Sequence, residues 1–202
     1  MKFEPLNIEK HDPIKVSELI YETELRTFRS LIGKDESEAI KNIESLICMG
    51  NNSFGNENIH VVSDNDNEIL GILVSFCVDD ITLWKELKVY SKILNFFDLL
   101  KYLFKETLVD GMFTDSFAPG DYYLCNVAVD HCYRGQGIGK YIMENALELA
   151  DGTSCERVVL KVTLKNETAL KLYKRFGFKV TRKNITGGFL KDENTYDMEL
   201  LI

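Results

Sequence analysis

Proline, tryptophan and histidine are scarce, with three, one and three residues in a chain of 202. So few prolines exclude a proline-rich linker or polyproline character. No apolar run reaches the ~20 residues that a membrane-crossing helix needs. The densest stretch, Ile93 to Phe104, holds nine apolar residues in twelve, so no membrane span is expected. Runs of basic residues are absent, and the net charge of −8 argues against general nucleic-acid binding and leans towards basic acceptors. The five cysteines (Cys48, Cys77, Cys125, Cys132, Cys155) are scattered and form no C-x-x-C pair. Reduced thiols and a cytoplasmic location fit that pattern. The opening MKFEPLNIEK lacks an apolar core of signal-peptide length. No metal-ligand cluster, repeat or low-complexity tract appears, and no metal is expected.

What is present suits one packed core. With 45% hydrophobic and 28% charged residues, the expectation is one domain over 1–202. The most informative stretch is Tyr122 to Asp151. An apolar strand pattern, Tyr122 to Val129, leads into a polar hinge, Asp130-His131-Cys132-Tyr133. Arg134-Gly135-Gln136-Gly137-Ile138-Gly139 follows, and Ile138, Ile142, Ala146 and Leu149 then recur at helical spacing. A helix that starts inside a glycine run makes an anion site. Missing Cβ atoms let backbone N–H groups converge, and the helix N-terminus adds roughly half a positive charge. A phosphate or pyrophosphate is the expected guest.

Two common phosphate motifs are excluded. A P-loop ending at Gly139-Lys140 would need glycine where Arg134 stands and a hydroxyl where Tyr141 stands. A dinucleotide fingerprint needs G-x-G-x-x-G and an acidic residue about 20 positions on, but the glycines run G-x-G-x-G and the chain near Val159 is apolar. Downstream, Arg157 to Val162 reads as a strand. Asn166 to Phe178 reads as a short helix closed by Gly177.

The run Arg134 to Gly139 fits R/Q-x-x-G-x-G/A, and Asn166 followed by A-x-x-L-Y-x-x-x-G-F fits a second signature. Together they resemble the GNAT superfamily of N-acetyltransferases, most clearly over Tyr122 to Val180. Earlier segments agree with the order in which that fold begins. Phe3 to Ile8 reads as a strand with Pro5 marking an edge. Asp12-Pro13 starts a helix carrying Ile14, Leu19, Ile20, Thr23 and Phe28. Asp35 with Glu38 starts a second helix with Ile40, Ile43, Leu46 and Ile47. Ile59 to Ser63 and Glu68 to Val78 form a hairpin about Asp64-Asn65-Asp66-Asn67. Phe178 to Thr186 and Thr195 to Leu200 close the sheet around Gly187-Gly188. The fold expected is α/β, a central mixed, twisted sheet with helices on both faces.

The stretch 79–120 departs from the family pattern as an insertion of about forty residues. Leu83 to Leu108 reads as one or two helices, serving as an extra core layer, an acceptor-pocket wall or a contact between two copies in a homodimer. Asp110, Asp115 and Asp121 are placed to ring a cationic acceptor, or are simply solvated.

The resemblance implies acetyl-CoA as donor and an amine, of a small molecule or a lysine side chain, as acceptor, with direct transfer. Pyrophosphate would be held by the amides of Gly135, Gln136, Gly137, Ile138, Gly139 and Lys140, with Arg134 and Lys140 as ionic partners. The pantetheine arm would lie along Val127, Ala128 and Val129, which requires the fourth and fifth strands to splay through a bulge. Tyr173 matches the family's general acid, and Asn166 holds the arm or caps its helix. Several relatives carry a Glu five residues before the motif asparagine. Here that position is Lys161, which leaves Glu22, Glu24, Asp115, Asp121 or a water chain as the base. His131 reads as a loop or cofactor-edge residue, and Cys125 and Cys132 as incidental neighbours of the site. Transfer of a longer acyl chain stays open. So does a non-catalytic module that holds acyl-CoA as a sensor or scaffold.

Overall fold

The computed structural model describes residues 1–23, 32–105 (main chain only from 101), 117–185 and 194–202. The expected roles of Glu24, Phe28, Leu108, Asp110, Asp115, Thr186, Gly187 and Gly188 fall outside these residues. In chain order the elements are β1 (Lys2–Pro5), α1 (Pro13–Thr23), α2 (Glu36–Met49), β2 (Ile59–Ser63), β3 (Ile69–Cys77), α3 (Leu83–Tyr90) and α4 (Phe96–Lys105). Then come β4 (Asp121–Val129), α5 (Ile138–Asp151), β5 (Arg157–Thr163), α6 (Glu167–Arg175), β6 (Lys179–Asn184) and β7 (Thr195–Leu201).

The seven strands form one sheet in the order β1-β2-β3-β4-β5-β7-β6. Only β4 and β5 are parallel; the other neighbours are antiparallel. Side chains alternate across β3, so Ile72 and Val74 join one core with α1 and α2, while Leu73 joins a second with α5 and α6. Helices therefore cover both faces, as the sequence pattern predicts. Pro5 sits on an edge strand, as expected. That strand ends there because Asn7 folds the chain back, its Oδ1 accepting from Glu9 N at 2.9 Å.

Local signals set the helix starts. Asp35 Oδ1 accepts from Glu38 N at 2.9 Å, and Glu38 Oε2 reaches back to Lys34 N at 2.8 Å, one residue before the cap. In α1 the buried face is Val16, Leu19, Ile20 and Tyr21, and Ile14 is exposed. Ile14 lies two residues from Val16 and so off its i, i+3, i+4 stripe. Among its described residues, the segment between β3 and β4 forms two helices. Ile93, Leu94 and Leu99 pack on the first core, but Trp84, Phe96 and Phe97 are exposed, so it is only in part a core layer. Glu86 is buried there and accepts from Ser53 N at 2.6 Å.

Candidate active site

The sheet opens at its centre. β4 and β5 pair from Asp121↔Arg157 to Leu124↔Leu160 and no further, although β4 runs on to Val129. The cause is visible on the other edge of β4. Val74 faces Asn126 and Ser75 faces Leu124, so Cys125 is an extra residue in a β-bulge. A bulge bends its strand and sharpens its twist, which carries the second half of β4 away from β5. Val127, Ala128 and Val129, the residues expected to meet a pantetheine arm, line this parted half.

The glycine run lies just beyond. Gly135 and Gly137 have φ of 79° and 84°, in the region where a Cβ is strained. Gly137 is the N-cap of α5 and offers no side-chain acceptor, and no acidic residue stands in the first turn. The first-turn amides at Ile138, Gly139 and Lys140 are thus left to an external anion. Lys140 Nζ lies 3.0 Å from Glu144 on the same helix. Gln136 Nε2 reaches Cys132 O at 3.5 Å. Arg134 turns back, donating from Nε to Val129 O at 3.0 Å and from Nη2 to Glu22 at 3.1 Å. Its guanidinium ties the loop to α1.

The second signature packs onto the first. A Cβ placed on Gly139 would stand 3.5 Å from Leu172 Cδ2 and 3.8 Å from Val129 Cγ2, so α6, α5 and the end of β4 meet at that glycine. Asn166 caps α6, its Oδ1 accepting from Ala169 N at 3.1 Å; the capping role is the one seen. Tyr173 is buried in the core shared with Val127 and Val129, its ring 6.0 Å from that of Phe178. Burial pushes its phenol up to about 12, so it stays protonated at any physiological pH.

The candidate bases separate by position. Asp121 is buried in a two-point contact with Arg157, Oδ1–Nε at 2.5 Å and Oδ2–Nη2 at 2.9 Å. It lies three residues, roughly 10 Å, before the parting point. Glu22 stands on the side of the gap but is paired with Arg134. Lys161 Nζ lies 5.0 Å above the Phe117 ring. His131 is exposed, with Nδ1 3.6 Å from Asp130. No metal-ligand set is evident in the sequence, yet ligand atoms of Asp130, His131 and Cys132 lie within 4.8 Å of one another. A cation there would have to displace Lys15, whose Nζ is 2.5 Å from Asp130 Oδ2. That ion pair lowers the Asp130 pKa and raises that of Lys15.

Sequence reasoning missed the attachment of α1 to this region through Lys15–Asp130, Glu22–Arg134 and Thr23–Asn126, the last at 2.6 Å. One signal was available. Asn126 is an amide inside the otherwise apolar run LCNVAV, and a polar group in such a place needs a partner.

A family model described as the Acetyltransferase (GNAT) family matches residues 20–178. The chain belongs to that family. Among its relatives, N-alpha-acetyltransferase 30 of Xenopus laevis is 39% identical over 56 residues, covering 28% of this chain and 20% of that protein. Peptidyl-lysine N-acetyltransferase YjaB of Salmonella typhimurium is 43% identical over 56 residues, covering 28% of this chain and 35% of the other. The chain thus spans well under two thirds of either relative. A crystal structure of an N-acetyltransferase from Staphylococcus aureus Mu50 superposes with a TM-score of 0.71 at 19% identity, covering 100% of both chains, a likeness of fold. In GNAT terms, the glycine run opening α5 and the helix of Tyr173 are the two signatures, brought into contact at Gly139.

Proposed function

We propose that this GNAT chain transfers an acetyl group from acetyl-CoA directly to a primary amine, carried by a small molecule or a lysine side chain. The parting of β4 from β5 immediately before a helix with uncapped N-terminal amides carries the reading, because it joins an extended slot to a diphosphate site. Bound acetyl-CoA supplies the activated thioester. The amides from Gly135 to Lys140 receive the diphosphate charge. Main-chain groups of Val127 to Val129, unpaired with β5, hydrogen-bond the amide-bearing arm. A preorganised N–H near Val127 polarises the thioester carbonyl, an effect on the order of 3 kcal/mol.

Tyr173 donates its hydrogen bond to the departing sulfur. With the phenol held at about 12 and an ordinary thiol near ~8.5, full proton transfer is uphill. The tyrosine stabilises the thiolate by hydrogen bonding, and water completes the protonation. The amine must shed a proton before attack, and Glu22, held beside the parted strand by its pairing with Arg134, takes it through water.

A second reading is a domain that binds acyl-CoA without turnover, and the cation at Lys161 favours it. Calorimetry with CoA and release of free thiol from acetyl-CoA over a panel of amines test both. Heat with amine-dependent thiol release is expected. Heat without release above background selects the sensor, and no heat at millimolar CoA overturns both readings.

A further inference from the structure

The geometry points to Asn126 as the residue that positions the acceptor amine; this rests on the proposed acetyl transfer. Asn126 is 3% exposed and lies two residues past Leu124, the last point of contact between β4 and β5. The bulge at Cys125 breaks the alternation of β4, so Cys125 and Asn126 face the same side. Cys125 packs on the core built by α1 and α2, and Asn126 Nδ2 lies 2.6 Å from Thr23 Oγ1 at the end of α1.

The orientation of this amide is fixed chemically. The Thr23 hydroxyl donates to Ile20 O at 2.6 Å. Its single hydrogen is therefore used, and towards Asn126 it can only accept. The Nδ2 side must face Thr23, which turns Oδ1 away from it. Asn126 Oδ1 is buried and has no hydrogen-bond partner among the described residues. A buried carbonyl oxygen without a donor is costly to retain. Asn126 stands in β4 just past its parting from β5, and its unpartnered oxygen matches a ligand that brings an N–H.

An amine acceptor brings one. Asn126 Oδ1 takes an N–H of the amine and holds the nitrogen lone pair towards the thioester carbon. A neutral amide suits this task better than a carboxylate. It orients the amine without a negative charge that would raise the amine's pKa and delay its deprotonation.

The test uses the full chain and thiol release from acetyl-CoA, with benzylamine, Nα-acetyl-lysine methylamide and an alanine-led tetrapeptide as acceptors. In Asn126→Leu, KM for the best of these amines should rise about tenfold, while KM for acetyl-CoA and the melting temperature hold. Thr23→Val keeps Asn126 but unties Nδ2, and should raise the amine KM in the same direction. In Asn126→Asp the alkaline rise of kcat/KM should move to higher pH, which a purely structural role would not produce. An unchanged amine KM in a folded, CoA-binding Asn126→Leu or Thr23→Val variant overturns the assignment alone. No thiol release by the parent chain with any amine overturns the acetyl-transfer reading and this assignment together.

Discussion

Leu124 of β4 faces Leu160 of β5, and past that pair the two parallel strands share no further contact in register. The extra residue at Cys125 turns a continuous sheet into one with a slot. The glycine-capped start of α5 then leaves its first-turn amides without a side-chain cap, beyond the end of the parted strand.

The glycines of the loop should separate by conformation. Gly137 has φ +84°, and Gly139 does not lie in the positive region. Gly137→Ala should cost roughly 1 kcal/mol of stability from backbone strain, whereas Gly139→Ala should be neutral or slightly stabilising. Gly137→Glu sets a carboxylate among the amides and should weaken CoA binding by about tenfold or more. Denaturant titration and calorimetry read the two effects independently.

Tyr173→Phe should keep CoA affinity and lower amine-dependent thiol release by about ten- to a hundredfold. Because burial holds Tyr173 at about 12, the parent enzyme should show no loss of rate up to pH ~10 from this group. An alkaline limb that disappears in Tyr173→Phe would contradict the position given to this phenol.

Acid should destabilise the fold in two steps. Burial lowers the pKa of His11 and of His60, so the unfolded chain binds protons first. Their contribution is present above pH ~6.5 and is lost as pH falls below it. Glu4 is lowered to about 2 by its hydrogen bonds from Lys10 and Ser63. Its contribution is present above the unfolded carboxylate's ~4.3 and is lost as pH falls towards 2. Urea midpoints between pH 8 and 2 should show the first step shrink in a His11→Gln, His60→Gln double variant and the second shrink in Glu4→Gln.

Arg157 binds both Asp121 and Glu199, the latter at 2.7 Å. Removing it strands a buried carboxylate. Arg157→Leu should cost about 2–3 kcal/mol, at the low end because Arg157 is partly solvated. Asp121→Asn should leave kcat within about twofold of the parent, as expected of a group that does not reach the reacting amine. A larger fall in kcat in a folded Asp121→Asn protein would restore Asp121 as a base.

Much of the site was legible in the residues themselves. Gly135 and Gly137 announce a turn with positive φ, and Asn166 announces a cap three residues before Ala169. The spacing of Ile138, Ile142 and Ala146 announces the buried face of α5. A motif position gave Arg134 its expected role as an ionic partner for pyrophosphate, but no sign of its partners within the chain. Its contacts with Val129 and Glu22 depend on where α1 lies. A carboxylate in sequence likewise carries no sign of the arginine that will hold it, as Arg157 holds Asp121.

Contiguous residues determined the strands, helices, caps and glycine turn, since periodicity and backbone preference act within a few positions of the chain. Where β4 leaves β5, which amides remain open and where the oxygen of Asn126 points were decided by tertiary structure alone. These depend on register among β3, β4 and β5 and on the seating of α1 against them. Such contacts link residues more than a hundred positions apart, through cores that no local pattern contains.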